Sequence, residues 1–172
     1  MGFDLQPILN GDLIQLRPLE NRDFNDLFLV AQDPLIWEQH PIKKRYEKEI
    51  FKSFFKESLA SGGALVAIDS KTQEVIGSSR FYGYNPLKSE IEIGWSFLAR
   101  SHWGGLYNGE MKHLMLQHAF KYVDKVIFLI GTNNIRSQQA IKKIGGVYKG
   151  KQPDTNGNES YIYQITKNQN EH

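Results

Sequence analysis

Ile93-Gly94-Trp95-Ser96-Phe97-Leu98-Ala99-Arg100-Ser101-His102-Trp103-Gly104-Gly105-Leu106-Tyr107-Asn108 decides how this chain is read. The stretch opens as a strand, passes through a loop containing glycines and enters a helix. Glycines in such a loop let the backbone approach a ligand, and the first helical turn carries N–H groups with no partner inside the helix. With the helix dipole, those amides suit a phosphate or pyrophosphate, although a Gly-Gly turn before a helix is also commonly just a turn. Neither G-x-x-x-x-G-K-[ST] nor G-x-G-x-x-G occurs, which argues against P-loop and dinucleotide folds.

Working outward, the strand itself spans about Glu90 to Leu98, with Ile91, Ile93 and Trp95 on one face and Glu90, Glu92 and Gly94 on the other. Before it, Ala64–Ile68 and Val75–Tyr82 read as strands joined through the polar Asp69–Gln73, and the second run breaks at Tyr84-Asn85-Pro86. Earlier still, Leu13–Pro18 suits a first strand. A helix with Phe24, Leu27, Phe28 and Ala31 on one face follows, capped by Asn21 or Asp23. Leu35-Ile36-Trp37 is a short segment interrupted by His40-Pro41, and a second helix runs from about Tyr46 to Ala60.

After the loop, Met111, Leu114, Met115, His118/Ala119 and Tyr122 mark a helix, and Val126–Ile130 reads as a buried central strand. A shorter helix from Ile135 to Ile144 ends at Gly145-Gly146. Asn134 can cap it, and the Ser137 hydroxyl lies in its first turn. Val147–Lys151 and Tyr161–Ile165 form a final hairpin with Asp154-Thr155-Asn156-Gly157 at its tip. The order predicts the α/β class: a single mixed, mostly antiparallel sheet flanked by helices. No repeat or linker divides the chain, so one domain over residues 1–172 is expected, its core about 13–166.

Composition narrows the function. In 172 residues, 21 Lys plus Arg face 19 Asp plus Glu, a net charge of +2 that argues against direct nucleic-acid binding. The absence of cysteine removes disulfides, thiolate metal sites and Cys nucleophiles together. The five histidines have no metal-ligand spacing, His113 and His118 being off one helix face, so no metal is expected. Ten Phe, eight Tyr and three Trp can build a core. The N-terminus lacks the pattern of a signal peptide, and the longest apolar run, Val126–Ile130, is too short for a bilayer. No membrane association and a cytoplasmic location are the expectations.

Three motifs carry a resemblance: Glu92-Ile93-Gly94-Trp95-Ser96-Phe97-Leu98, then His102-Trp103-Gly104-Gly105-Leu106, then Asn134-x-x-Ser137-x-x-Ala140 ending in Lys143-Ile144-Gly145-Gly146. In this order and spacing, from about Leu13 to Ile165, the chain resembles the GCN5-related N-acetyltransferase (GNAT) family. Within it, the chain is most similar to the branch acetylating ribosomal-protein N-termini (RimJ/RimL-like). The resemblance implies an acetyl-CoA site between two splayed strands, Glu90–Leu98 and Val126–Ile130. Backbone groups of Phe97 and Leu98 would bond the pantetheine arm. The amides of Trp103, Gly104, Gly105, Leu106, Tyr107 and Asn108 would take the pyrophosphate, and Asn134 and Ser137 would contact the arm and thiol. Trp37, His40, Arg80 and Tyr82 would border the acceptor cleft.

Departures accompany the match. Leu106 stands where the family has a second loop glycine, and Ser101 replaces the usual Gln or Arg. Ile141 occupies the position of a tyrosine that many members use as general acid, which makes Ser137 the substitute donor. Acetyl transfer needs a neutral amine, and a carboxylate can take its proton directly or through one water. Glu92 matches the family's strand position for that base, with Glu90 on the same face as the alternative. The expected function is acetyl-CoA-dependent N-acetylation of a primary amine, such as a protein N-terminus, by direct attack. A small-molecule amine as acceptor and a non-catalytic acyl-CoA-binding module are the alternatives, and a homodimer stays open.

Overall fold

The computed structural model describes residues 2–170. Its strands are β1 (Leu9–Asn10), β2 (Ile14–Pro18), β3 (Ala64–Asp69), β4 (Val75–Asn85), β5 (Glu90–Leu98), β6 (Lys125–Gly131), β7 (Val147–Pro153) and β8 (Glu159–Thr166). The main helices are α1 (Phe24–Ala31), α2 (Lys48–Ser61), α3 (Tyr107–Ala119) and α4 (Ile135–Lys143). All eight strands join one sheet in the order β1-β2-β3-β4-β5-β6-β8-β7. Every neighbouring pair is antiparallel except β5 and β6, which run parallel. The expected mixed, mostly antiparallel sheet flanked by helices is therefore the observed one.

Period-two alternation divides the core between the two faces of the sheet. Leu16, Leu65, Ala67, Phe81, Ile91 and Ile93 pack with Met111, Met115 and Ala119 of α3. Ala64, Val66, Ile68 and Phe97 pack on the other face with Leu27 and Ala31 of α1 and Phe51, Phe54 and Phe55 of α2. The start of α1 differs from the expectation. Asp23 is not a simple cap: its carboxylate takes both guanidinium nitrogens of Arg17, at 2.8 and 2.9 Å, and the Glu20 amide at 2.8 Å. Leu35-Ile36-Trp37 lies in a 3-10 turn, Pro34–Trp37, and β4 continues through Asn85 rather than breaking at Tyr84.

Gly77 of β4 sits opposite Leu98 of β5. A methyl group there would collide with the Phe97 carbonyl oxygen, a backbone atom that cannot rotate away. Gly77→Ala is expected to destabilise by about 1–3 kcal/mol, read as a lower urea midpoint with an unchanged slope. An unchanged midpoint would contradict the close approach.

Candidate active site

β5 and β6 pair only from Glu90↔Lys125 to Glu92↔Ile127. Beyond Glu92, β6 stays bonded to β8 as far as Gly131, while β5 stays bonded to β4 as far as Leu98. The two strands therefore splay, and the edge of β5 from Ile93 onward has no strand partner on the β6 side among the described residues. A β-bulge follows the divergence: Ser78 pairs with Phe97 and Arg80 with Gly94, so Ser79 alone faces both Trp95 and Ser96. Trp95 takes a left-handed φ of +53°. The bulge also corrects the expected face of Trp95. Its ring leaves the side of Ile91 and Ile93, meets Tyr82 edge-on with centroids 5.2 Å apart, and lies under the Arg80 guanidinium at 4.2 Å.

The bulge is pinned from beneath by a residue that the reading of the sequence missed. Lys112 of α3 is buried, and its Nζ donates to Ser96 Oγ, which shares a 2.8 Å hydrogen bond with Ser79 Oγ. Burial pulls the Lys112 ammonium down to about 7. Its spacing with Met115, Leu116 and Ala119 was the available signal, because it places a lysine on the buried stripe of a helix.

The loop after β5 is anchored at several points. Trp103 Nε1 donates to the Leu98 carbonyl at 2.9 Å, and the Arg136 guanidinium of α4 lies 3.9 Å from the centre of the Trp103 ring. His102 Nε2 lies 2.9 Å from Asp69 Oδ2, the oxygen that also accepts from the Tyr107 hydroxyl at 3.2 Å. These hydrogen bonds, His102's foremost, hold the Asp69 carboxyl below the usual carboxylate range. Gly104 turns the loop with φ +74°, a conformation that favours glycine. Leu106 precedes α3 without a side-chain cap, and its own side chain is 76 % exposed. A leucine at this point thus turns to solvent and leaves the amides at the helix start uncapped. Tyr107 and Asn108 form the first turn of α3, half-buried.

The other expected cofactor contacts are placed as follows. The Phe97 ring is buried 5.0 Å from that of Trp37, and its carbonyl is turned to β4. The Leu98 carbonyl is the one engaged by Trp103. At the far side of the splay, Asn134 caps α4 by accepting from the Ser137 amide at 3.3 Å. The Ser137 hydroxyl is half-buried and carries no hydrogen bond among the described residues.

Glu92 stands at the apex of the splay, opposite Tyr82 and two pairs along from Arg80. Its carboxylate leans over Gly94, Oε2 lying 3.1 Å from where a side chain of that residue would begin. Burial raises Glu92 to about 7, an effect tempered by Arg80 and reinforced by Asp154 at the β7–β8 tip. Glu90 lies at the closed end of the same pairing, 3.8 Å from Lys125 Nζ. The structure thus brings Arg80, Tyr82 and Glu92 together on one face. Trp37 and His40 reach this region from the segment after α1. Trp37 is fixed by an Nε1 bond to the Ala31 carbonyl at 2.8 Å and meets the His40 ring at 5.4 Å. His40 accepts the Ile42 amide on Nδ1 at 2.9 Å, and burial together with the charge of Arg45 lowers its pKa to about 3. Arg45, also missed, lies beside these groups with its guanidinium 4.2 Å over the Phe54 ring. Nothing in Lys43-Lys44-Arg45 distinguishes it from a solvated basic run. Among the described residues, no three His, Cys, Asp or Glu side chains form a group able to hold a metal, and no helix is long and apolar enough to cross a membrane.

Residues 14–147 match the family model described as an acetyltransferase (GNAT) domain. The chain belongs to the GNAT acetyltransferase family. A GCN5-related N-acetyltransferase from Brucella melitensis superposes with a TM-score of 0.83 at 15 % identity, over 95 % of this chain and 80 % of that one. Mycobacterium smegmatis RimJ in complex with CoA-disulfide gives 0.72 at 16 % identity, covering 95 % and 87 %. Spermidine N-acetyltransferase from Vibrio cholerae, in complex with CoA and spermine, gives 0.71 at 14 % identity, covering 94 % and 100 %. None of the curated proteins compared matches the chain by sequence.

Proposed function

We propose that this protein is an acetyl-CoA-dependent N-acetyltransferase in which a primary amine attacks the acetyl group directly and Glu92 takes the amine's proton. The observation that carries the reading is Glu92 itself, a carboxylate at the apex of the splay with a pKa raised to about 7. A base poised there is half ionised at neutral pH, where an α-amine of pKa ~8 needs only modest help. The residues present fit acetyl-CoA. The unpaired edge of β5 would run along the pantetheine arm, and the uncapped amides from Gly104 to Asn108 would hold the pyrophosphate. Asn134, already spent on capping α4, keeps Ser137 oriented, and the free Ser137 hydroxyl is the proposed proton donor to the departing thiolate. Acetyl-CoA supplies the activated acyl group.

With no cysteine in the chain, an acetyl-cysteine intermediate has no nucleophile. Trp37, His40, Arg80 and Tyr82 form the acceptor side of the proposed site, and Glu90 is held back by Lys125. The RimJ likeness supports a protein N-terminus as acceptor and the spermidine N-acetyltransferase likeness a small amine, on one domain read as cytoplasmic. Thermal shift with acetyl-CoA, followed by thiol release with peptide and small-amine acceptors, tests the reading. Stabilisation with turnover is expected. Stabilisation without turnover on any acceptor would leave an acyl-CoA-binding module, and no stabilisation would end the acetyl-CoA reading.

A further inference from the structure

Two arginines are buried on the acceptor side with more positive charge than their neighbours neutralise. Arg80 is 2 % exposed and Arg45 is 5 % exposed. Arg80 Nη2 donates to Ser58 Oγ at 2.6 Å, and Nη1 lies 3.9 Å from the solvent-exposed Glu57. The Nε of each arginine is buried without a partner, and no hydrogen bond or ion pair engages the Arg45 side chain among the described residues. Instead Arg45 lies on aromatic faces, 4.2 Å over Phe54 and 5.5 Å from Trp37. Arg80 shares the Phe54 ring at 5.7 Å and covers Trp95 at 4.2 Å. Cation–π contact of this kind offsets only part of what removing a guanidinium from water costs.

The nearby groups do not supply the missing negative charge. His40 is neutral, its pKa near 3. Burial lowers Arg45 to about 10, with Arg80's charge acting in the same direction, while Glu57 and Asp154 act against it. Glu92 is only partly ionised at neutral pH and sits beside Arg80 rather than Arg45. A buried guanidinium with no hydrogen-bond partner, set against the Phe54 and Trp37 rings, is preorganised for a planar anion that arrives from outside.

The geometry points to an acceptor that carries a carboxylate close to its amine, with the carboxylate received by Arg45 and Arg80 while the amine faces Glu92. This inference rests on the acetyltransferase reading above and names its substrate class. Two sources share that chemistry: the α-carboxylate of a free amino acid and the side-chain carboxylate of an acidic N-terminal residue. A polyamine lacks it, and the two cations would repel one.

The test compares matched acceptors on the full chain: glycine against glycinamide, a short peptide beginning with Asp against one beginning with Asn, and spermidine. The carboxylate partner is expected to lead its neutral match by ~30-fold or more in kcat/KM, the usual scale for a buried charge pair. The first pair answering alone identifies a free amino acid, and the second alone an acidic N-terminus. In Arg45→Met, which keeps the stacking length without the charge, the ratio should fall toward one. Arg45→Lys should restore only part of it. Each variant's unchanged thermal shift with acetyl-CoA shows that it is folded.

The same matched ligands are read by thermal shift in their N-acetylated form, which needs no turnover. N-acetylglycine should stabilise wild type more than N-acetylglycinamide, or N-acetyl-Asp peptide more than its Asn match, and Arg45→Met should erase the difference. Equal handling of carboxylate and amide in both readouts, or a preference for spermidine, overturns the inference. Failure of turnover alone, with the carboxylate-specific shift intact, strikes the acetyltransferase reading and leaves the anion site standing.

Discussion

Glu92→Gln is expected to lower kcat by ~10²–10⁴-fold, the range over which general bases contribute, while acetyl-CoA still stabilises the protein. The substitution keeps the shape of the side chain at the apex of the splay and removes only its ability to take a proton. The pH profile gives the sharper reading. Because burial raises Glu92 to about 7, its basic form accumulates as pH rises through that value, so wild-type activity should climb across pH 6–8. In Glu92→Gln that rise should disappear, leaving only the limb set by the amine's own ionisation. Glu90→Gln, on the residue paired with Lys125, should leave the profile in place. A loss below tenfold with the limb retained would move the base to Glu90 or to water.

Lys112→Met is expected to make the protein more stable and less active. Burial among apolar neighbours holds the lysine near 7 against an ordinary value of 10.5, so keeping its proton inside the fold costs free energy that the unfolded chain does not spend. Between pH 7 and 10.5 the unfolded chain binds a proton that the folded chain does not, so stability rises with pH across that window. Methionine fills similar volume without a charge to desolvate, and replacements of this kind gain ~1–4 kcal/mol. At about 2–4 °C per kcal/mol, that is a clear rise in Tm at pH 7, shrinking as pH approaches 10. The same change frees Ser96, so the bulge loses its anchor on α3. KM for acetyl-CoA should increase. Loss of stability at pH 7 would mean that the Ser96 contact outweighs the cost of burying the amine.

The order of elements was readable because its signals are local: alternation in Glu90–Leu98, the apolar stripe of Met111, Met115 and Ala119, and the stop at Gly145-Gly146. The splay was an expectation drawn from family resemblance, since no pattern in one strand announces where its neighbour lets go. Trp95 was misread because a bulge interrupts alternation without altering the composition that alternation is read from. Short β1 lacked enough residues for any period to register. In the candidate site, Glu92 and Asn134 lay within recognisable motifs. Arg45 did not, because its burial comes from Trp37 and Phe54, residues brought to it only by the tertiary fold.

Ile93 and Phe97 are four residues apart, so unbroken alternation would give them the same side of the sheet, yet they pack into opposite cores. The extra residue between them works like a frameshift in the strand's spatial code. Upstream of it, odd-numbered positions answer to α3, and downstream they answer to α1 and α2. Hydrophobicity at a given parity is therefore enforced by different partners on the two sides of one residue. Removing that residue would put the two halves of β5 back in phase and turn Phe97 toward the core that Ile93 already serves. The division of apolar side chains between the two cores is thus encoded in the length of a single strand.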